Sequence, residues 1–370
     1  MRRFLLPLCL AAAFLLPPAF GLQRFPPPDF ESGYRQPPLE FQYQSKYSRE
    51  LRDAVILVAA LAIAGWFLLY KRNRAAIFVI GLLCLLYFGF YKQGCICPIG
   101  SIQNVVYAII YSSYTIPAAV LIVFFAPLVC ALILGRVFCG SVCPLGAIQD
   151  IFLFRPVRIP GWLGGSLGLL RYFYLGLAVF FVVGYERFTI CEYDPFVSFF
   201  RWSGAWWRIG LGASFLVLAM FVGRAYCRFL CPYGAILSFL SRWTSLGVRI
   251  TPDECIKCTL CDDACPFGAI LEPGKRKGAS PRTKALLCLV TVALILGLAG
   301  VFYYVAAESK TALGLGMWFG LVIGGGILAA AKGSVREEYS VDYAACFSCG
   351  RCYEYCPRDR AARKEKTVEG

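Results

Sequence analysis

Seven stretches of roughly twenty apolar residues, parted by short loops that carry arginine and lysine, limit what this chain can fold into. They run Ala54 to Tyr70, Ala75 to Tyr91, Thr115 to Leu134, Leu167 to Gly184, Ile209 to Val222, Ala285 to Ala306 and Ala312 to Ala331. A hydrocarbon layer about 30 Å thick takes about twenty residues of helix, and a helix satisfies its own backbone there. With 59% hydrophobic residues in 370, the chain reads as an all-α polytopic membrane protein. Lys71-Arg72-Asn73-Arg74 closes the first run, and later positive loops fall on the same side. That retention of positive charge accounts for the net +15, so nucleic acid is not implied as a partner.

The order of segments follows from the same pattern. Residues 1–21 have the charged start and short apolar core of a signal peptide or signal anchor. Residues 22–52, with Pro26-Pro27-Pro28 and Pro37-Pro38, read as an extended extracytoplasmic segment. A transmembrane core is expected over 53–245, a first cysteine-rich segment over 246–283, a transmembrane hairpin over 284–332 and a second cysteine-rich segment over 333–370.

Within the core one motif occurs twice. Gly135-Arg136 leads to Cys139-x-x-x-Cys143-Pro144-Leu145-Gly146-Ala147-Ile148, and Gly223-Arg224 leads to Cys227-x-x-x-Cys231-Pro232-Tyr233-Gly234-Ala235-Ile236. Each copy follows an inward run, so the chain contains an internal two-unit repeat. Packed about a pseudo-symmetry axis, the units bring Cys139, Cys143, Cys227 and Cys231 together at the inner face, where four thiols can hold an iron-sulfur cluster. Arg136, Arg224 and Arg228 stand ready to compensate the charge. The alternative for these cysteines is packing as small apolar side chains at helix ends.

Cys97-Pro98-Ile99-Gly100-Ser101-Ile102 echoes the motif's tail, with Gln93 where its first cysteine would stand. Cys95, Cys97 and Cys191 fall on the expected outer side as a candidate metal site one ligand short, which Asp194, Glu192 or Cys84 could complete. A disulfide between two of them is the alternative. Cys130 and Cys288 are expected in apolar packing.

The two flanking segments carry the most specific spacing. Cys255-x-x-Cys258-x-x-Cys261-x-x-x-Cys265-Pro266 matches the bacterial ferredoxin run, in which the fourth cysteine serves a neighbouring cluster. Cys346, Cys349, Cys352 and Cys356-Pro357 repeat it. Swapped ligation is therefore expected: Cys255, Cys258, Cys261 and Cys356 on one 4Fe-4S cluster, Cys346, Cys349, Cys352 and Cys265 on another. A zinc site lacks the third spacing and the proline. These runs predict a small α+β dicluster ferredoxin module, split by the last transmembrane hairpin. The chain has no histidine, which removes the usual axial ligand of haem, so no haem is expected.

With paired CxxxCP motifs at membrane-helix ends and ferredoxin runs, the chain resembles the NosR/NapH family of membrane iron-sulfur proteins over about residues 75 to 357. The resemblance implies the bacterial inner membrane, a cytoplasmic C-terminus, and electron transfer between a cytoplasmic or quinol donor and an external flavin- or metal-containing partner protein. It implies no substrate chemistry of the chain's own. The segment 22–52 is too short for the external flavin domain of NosR-like members. Two alternatives to an electron conduit are an accessory that reduces metal ions for cofactor assembly and a membrane redox sensor. Three methionines and no histidine disfavour copper handling.

Overall fold

The computed structural model describes residues 43–94, 97–111, 116–201, 206–250, 255–276, 278–306 and 309–357. The expected signal segment, residues 22–42, Cys95 and the tail 358–370 lie outside the described residues.

The chain is mostly helical. Its principal helices are α1 Tyr43–Trp66, α2 Arg74–Cys84, α3 Pro98–Ile110, α4 Ala118–Leu134, α5 Pro144–Ile151, α6 Leu170–Tyr185, α7 Pro195–Arg201, α8 Trp206–Phe221, α9 Pro232–Leu240, α10 Pro281–Val305 and α11 Lys310–Ala330. Five helical stretches are long and apolar enough to cross a membrane: Arg49–Lys71, Arg74–Tyr91, Gly161–Tyr185, Pro281–Val305 and Lys310–Ala330. A sixth is added if the bent pair α7 and α8 counts as one span.

Seven spans were expected, and the two that fall short are those leading into the CxxxCP motifs. Helix α4 has 17 residues and α8 has 16, which at ~1.5 Å per residue is about 26 and 24 Å. A helix of that length entering from one boundary ends before the other, since the layer is about 30 Å thick. Helix α4 begins after Pro117 and stops at Gly135, which takes φ 81°, while α8 is set at a sharp bend to α7.

The N-terminal boundary also differs from expectation. Helix α1 begins at Tyr43, inside the segment read as extended. Residues 43–52 hold no proline or glycine, and Gln44, Lys46, Arg49, Glu50, Leu51 and Arg52 are good helix formers. Asp53, 3% exposed, then receives Lys92 Nζ at 2.7 Å and the Tyr87 hydroxyl at 2.7 Å, fixing α1 to the turn after α2.

The last hairpin closes through glycine. Gly316, Gly320 and Gly324 lie one helical turn apart on α11, and a Cβ at Gly320 would stand 2.5 Å from Ile295 Cα on α10. Small residues let membrane helices pack backbone to backbone. Trp318 Nε1 donates to Tyr172 O at 2.8 Å and ties the hairpin to the core. Cys288 on α10 is exposed, unlike the apolar packing expected of it, while Cys130 and Cys84 are buried.

Four short strands join the segments on either side of that hairpin. β1 (Ile270–Leu271) pairs antiparallel with β4 (Ser340–Val341), and β2 (Gly274–Arg276) with β3 (Ser334–Arg336). The second segment docks on the helical core: Ser238 Oγ donates to Ala344 O at 2.7 Å, Ser241 Oγ to Tyr343 O at 2.9 Å, and Arg351 pairs with Asp150 at 3.1 Å.

Candidate metal centres

Cys139, Cys143, Cys227 and Cys231 are all buried and line one cavity. Each motif places its thiols by the same local device. The first cysteine sits in a tight turn, and the second adopts extended backbone (φ −68° for Cys143, −58° for Cys231) before a proline that opens the next helix. Proline at that position gives up an N–H that a helix start cannot use.

Every one of the four sulfurs has a donor. Gly234 N–H reaches Cys231 Sγ at 3.3 Å, Gly146 N–H is directed at Cys143, Gln149 Nε2 donates to Cys227 Sγ at 3.2 Å, and Arg136 Nη2 lies 3.9 Å from Cys139 Sγ. Donors to sulfur stabilise the thiolate and raise the potential of a bound cluster. The motif's glycines have a steric reason as well. A Cβ at Gly234 would stand 3.0 Å from Cys227 O and 3.3 Å from Arg136 Nη2, and one at Gly146 would meet Cys139 O and Arg224 Nη1. Each repeat's arginine thus rests on the other repeat's glycine.

Arg136 and Arg224 are 1% and 0% exposed. Arg224 donates to the carbonyls of Cys139 and Gly140 and pairs with Asp150 at 3.3 Å. Arg136 donates to Ala344 O at 3.3 Å. Both guanidiniums face the Phe347 ring, at 4.1 and 5.3 Å from its centroid. Of these two buried cations only Arg224 pairs with a carboxylate, and Nε of each arginine has no hydrogen-bond partner among the described residues. An anionic group of thiolates and iron would give the unpaired guanidinium of Arg136 a counter-charge. Arg228, expected at the same place, instead faces Cys265.

In the ferredoxin segments the structure brings Cys265 to the second run. Burial pushes Cys346 up to about 12, with Cys349 and Cys265 beside it, and Cys352 is raised by burial with Cys346, Cys349 and Cys265 as neighbours. Cys261 is pushed up to about 11 by burial, with Cys255 and Cys258 next to it. Such thiols ionise only when a metal takes the proton's place. Cys356 is buried after the short helix Arg351–Tyr355, which packs on Leu260–Asp263. Among the described residues, no three Cys, Asp or Glu side chains are close enough to share a single metal ion.

Cys97 is not set apart by the bilayer from the paired motifs, as expected, but lines the same cavity as their four thiols. So does Asp194, which is 2% exposed and accepts from Phe196 N at 2.9 Å and from the Tyr226 hydroxyl at 2.9 Å. Cys95 lies outside the described residues, as do the side chains of Cys191 and Glu192. Sequence reasoning missed Gln149, Gln103 and Phe347. Glutamine six residues after the cysteine in both Cys97-Pro98 and Cys143-Pro144 was the signal that could have found the first two.

Models of 4Fe-4S binding domain families match residues 94–112, 116–165 and 203–251, and, for a second such family, 248–271. YccM of Escherichia coli (strain K12), named as a candidate electron transport protein, is 27% identical over 118 residues, 29% of this chain and 33% of YccM. Protein NirI of Paracoccus denitrificans (strain Pd 1222) is 29% identical over 143 residues, 37% of this chain and 21% of NirI. Regulatory protein NosR of Pseudomonas aeruginosa is 28% identical over 109 residues, 28% of this chain and 15% of NosR. The matched stretches therefore cover a third or less of these relatives. No solved structure matches the chain. Repeated cysteine motifs around a buried cavity, apolar helices and these matches support a likeness to NosR-like polyferredoxins.

Proposed function

We propose that the chain is an iron-sulfur electron conduit of the bacterial inner membrane, with its ferredoxin module on the cytoplasmic side. In this reading Cys255, Cys258, Cys261 and Cys356 hold one 4Fe-4S cluster, Cys346, Cys349, Cys352 and Cys265 a second, and Cys139, Cys143, Cys227 and Cys231 a further cluster in the core. Bound there, the clusters supply one-electron carriers. The donor is a cytoplasmic protein or quinol, and the acceptor a partner redox protein.

The observation that carries this reading is the contact between module and core. Phe347, next to Cys346, packs on Phe267 at 4.8 Å and lies beneath Arg136, whose other end reaches Cys139. Gly140 admits the second ferredoxin segment so closely that a Cβ there would overlap Phe347 O. The protein's own part is thus to dock two thiol sets edge to edge, exclude water between them and neutralise their charge with two buried arginines.

The test uses detergent-purified protein, iron and sulfide analysis, and freeze-quench EPR after reduction at the module. Eight or more irons per chain are expected, about four for each ferredoxin cluster. Cys139→Ser should leave the module's signals intact and abolish onward transfer to an added acceptor; unchanged transfer would refute the conduit.

A further inference from the structure

Arg171 is the second residue of α6 and stands inside the apolar stretch Gly161–Tyr185. Leu169, just before it, lies against Gly326 near the close of α11, which puts Arg171 toward the end of the span where the ferredoxin segments dock. Its Nε and the hydroxyl of Tyr172 are both buried without a hydrogen-bond partner among the described residues. The guanidinium lies 5.1 Å from the centre of the Tyr172 ring, so the two unmatched groups adjoin. No carboxylate pairs with Arg171 among the described residues. An arginine in an apolar span is costly unless something answers its charge.

The charges next to Arg171 make the need greater. Arg136 and Arg242 both act on it, and both are cations. Helix α6 packs against α9, and Arg242 follows α9 in the turn Ser241–Trp243. Arg242 is exposed, has no carboxylate partner among the described residues and lies 5.8 Å from the centre of the Phe239 ring. Arg136 faces Cys139 and Phe347, so Arg171 and Arg242 are the two left for an anion from outside the chain.

The surroundings say which anion. Phe239 is 48% exposed and Trp243 60%, with their rings 4.9 Å apart. Exposed aromatic side chains of membrane proteins gather where hydrocarbon meets the headgroups. A free phosphate uses cations alone, whereas a phospholipid uses cations and an apolar face side by side.

We propose that Arg171 and Arg242, with the Tyr172 hydroxyl, form a phosphate site for an anionic phospholipid whose chains run over Phe239 and Trp243. The guanidinium fork matches phosphate oxygens in pairs, and a basic recess between membrane helices is a general form of lipid headgroup site. The bound lipid supplies the missing negative charge beside Arg136 and links the start of α6 to the end of α9.

The test uses full-length protein, delipidated in detergent, with thermal unfolding and native mass spectrometry as readouts. Dioleoylphosphatidylglycerol, dioleoylphosphatidylcholine and inorganic phosphate are added at equal phosphate concentration. Phosphatidylglycerol should raise the unfolding midpoint of the wild type by several degrees and stay bound to the chain, since a ligand held only by the folded state stabilises it. Arg171→Gln and Arg242→Gln should each lose most of that rise. Lys284→Gln, which removes an exposed cation of α10, should keep it. Should Arg171→Gln fail to fold, Arg242→Gln decides, because its side chain is exposed. No rise in the wild type, an undiminished rise in Arg242→Gln or an equal loss in Lys284→Gln would overturn the site. An equal rise with phosphatidylcholine would overturn the choice of an anionic lipid, and an equal rise with inorganic phosphate would assign the arginines to free phosphate instead.

Discussion

The guanidinium of Arg136 lies 4.1 Å from the centre of the Phe347 ring, although 211 residues separate the two in sequence (347 − 136 = 211). That contact joins a turn of the membrane core to a loop of the ferredoxin module, and Arg224 approaches the same ring. A desolvated cation-π pair of this kind contributes about 2 kcal/mol, and the buried ring contributes its own packing. Phe347→Ala should therefore weaken docking by about 3–5 kcal/mol. Limited proteolysis should show earlier cleavage near residue 340, with iron content at Cys139 and its partners retained.

Gly140 tests the same interface without removing a side chain. Its Cβ would overlap Phe347 O and stand 3.2 Å from Ser348 O, both backbone atoms that cannot rotate away. Gly140→Ala should push the module off the core while each cluster's own EPR signal survives. The measurement is the transfer rate between the two signals after a reductant pulse, expected to fall by at least tenfold.

Asp150 makes the interface sensitive to acid. Burial alone would raise its carboxyl, but Arg224, Arg351 and Arg74 outweigh it and hold the group below its ordinary value. A depressed carboxylate stabilises the fold above the unfolded value near about 4, and that stability is lost as pH falls through the folded value. Docking should be constant from pH 7 to about 5 and fail below about 4. Asp150→Asn should cost about 3–5 kcal/mol at pH 7, because Arg224 then lacks its buried partner, and should abolish this acid transition. Thermal unfolding in detergent across pH checks both.

Gln149, which also accepts Tyr226 N–H at 3.1 Å, should set a potential. Its Nε2 donates to Cys227 Sγ at 3.2 Å, and a donor to sulfur favours the reduced, more negative cluster. Gln149→Leu should lower the midpoint of the Cys139-dependent signal in a redox titration and leave the module's midpoints unchanged. Gln149→Glu, which loses that donor but keeps an acceptor for Tyr226 N–H, should lower it further.

Much of this arrangement was legible in the cysteines. Spacing alone grouped Cys139 with Cys143 and Cys227 with Cys231, and all four line one cavity; Cys265, expected to serve the second run, has Cys346 and Cys349 among its neighbours. Hydropathy was less informative where helices stop early. The apolar runs ending at Leu134 and Val222 were read as spans by composition, yet their helices have 17 and 16 residues and the second joins its neighbour at a sharp bend, which no hydropathy sum registers. Cys97, expected on the outer side and so across the bilayer from Cys139, lines the same cavity as that residue. Gln103, Gln149 and Phe347 act through partners between 77 and 211 residues away, which periodicity does not reach.

The strand pairing between Ile270 and Val341 has a consequence for how the protein is made. One edge of the module leaves the ribosome before α10, and the edge that completes it emerges only after α11. Both helices must be made before the two strands can meet, so closure of this sheet follows synthesis of the hairpin. Any chain stalled before that hairpin would present Cys255, Cys258, Cys261 and Cys265 without Cys346, Cys349, Cys352 and Cys356.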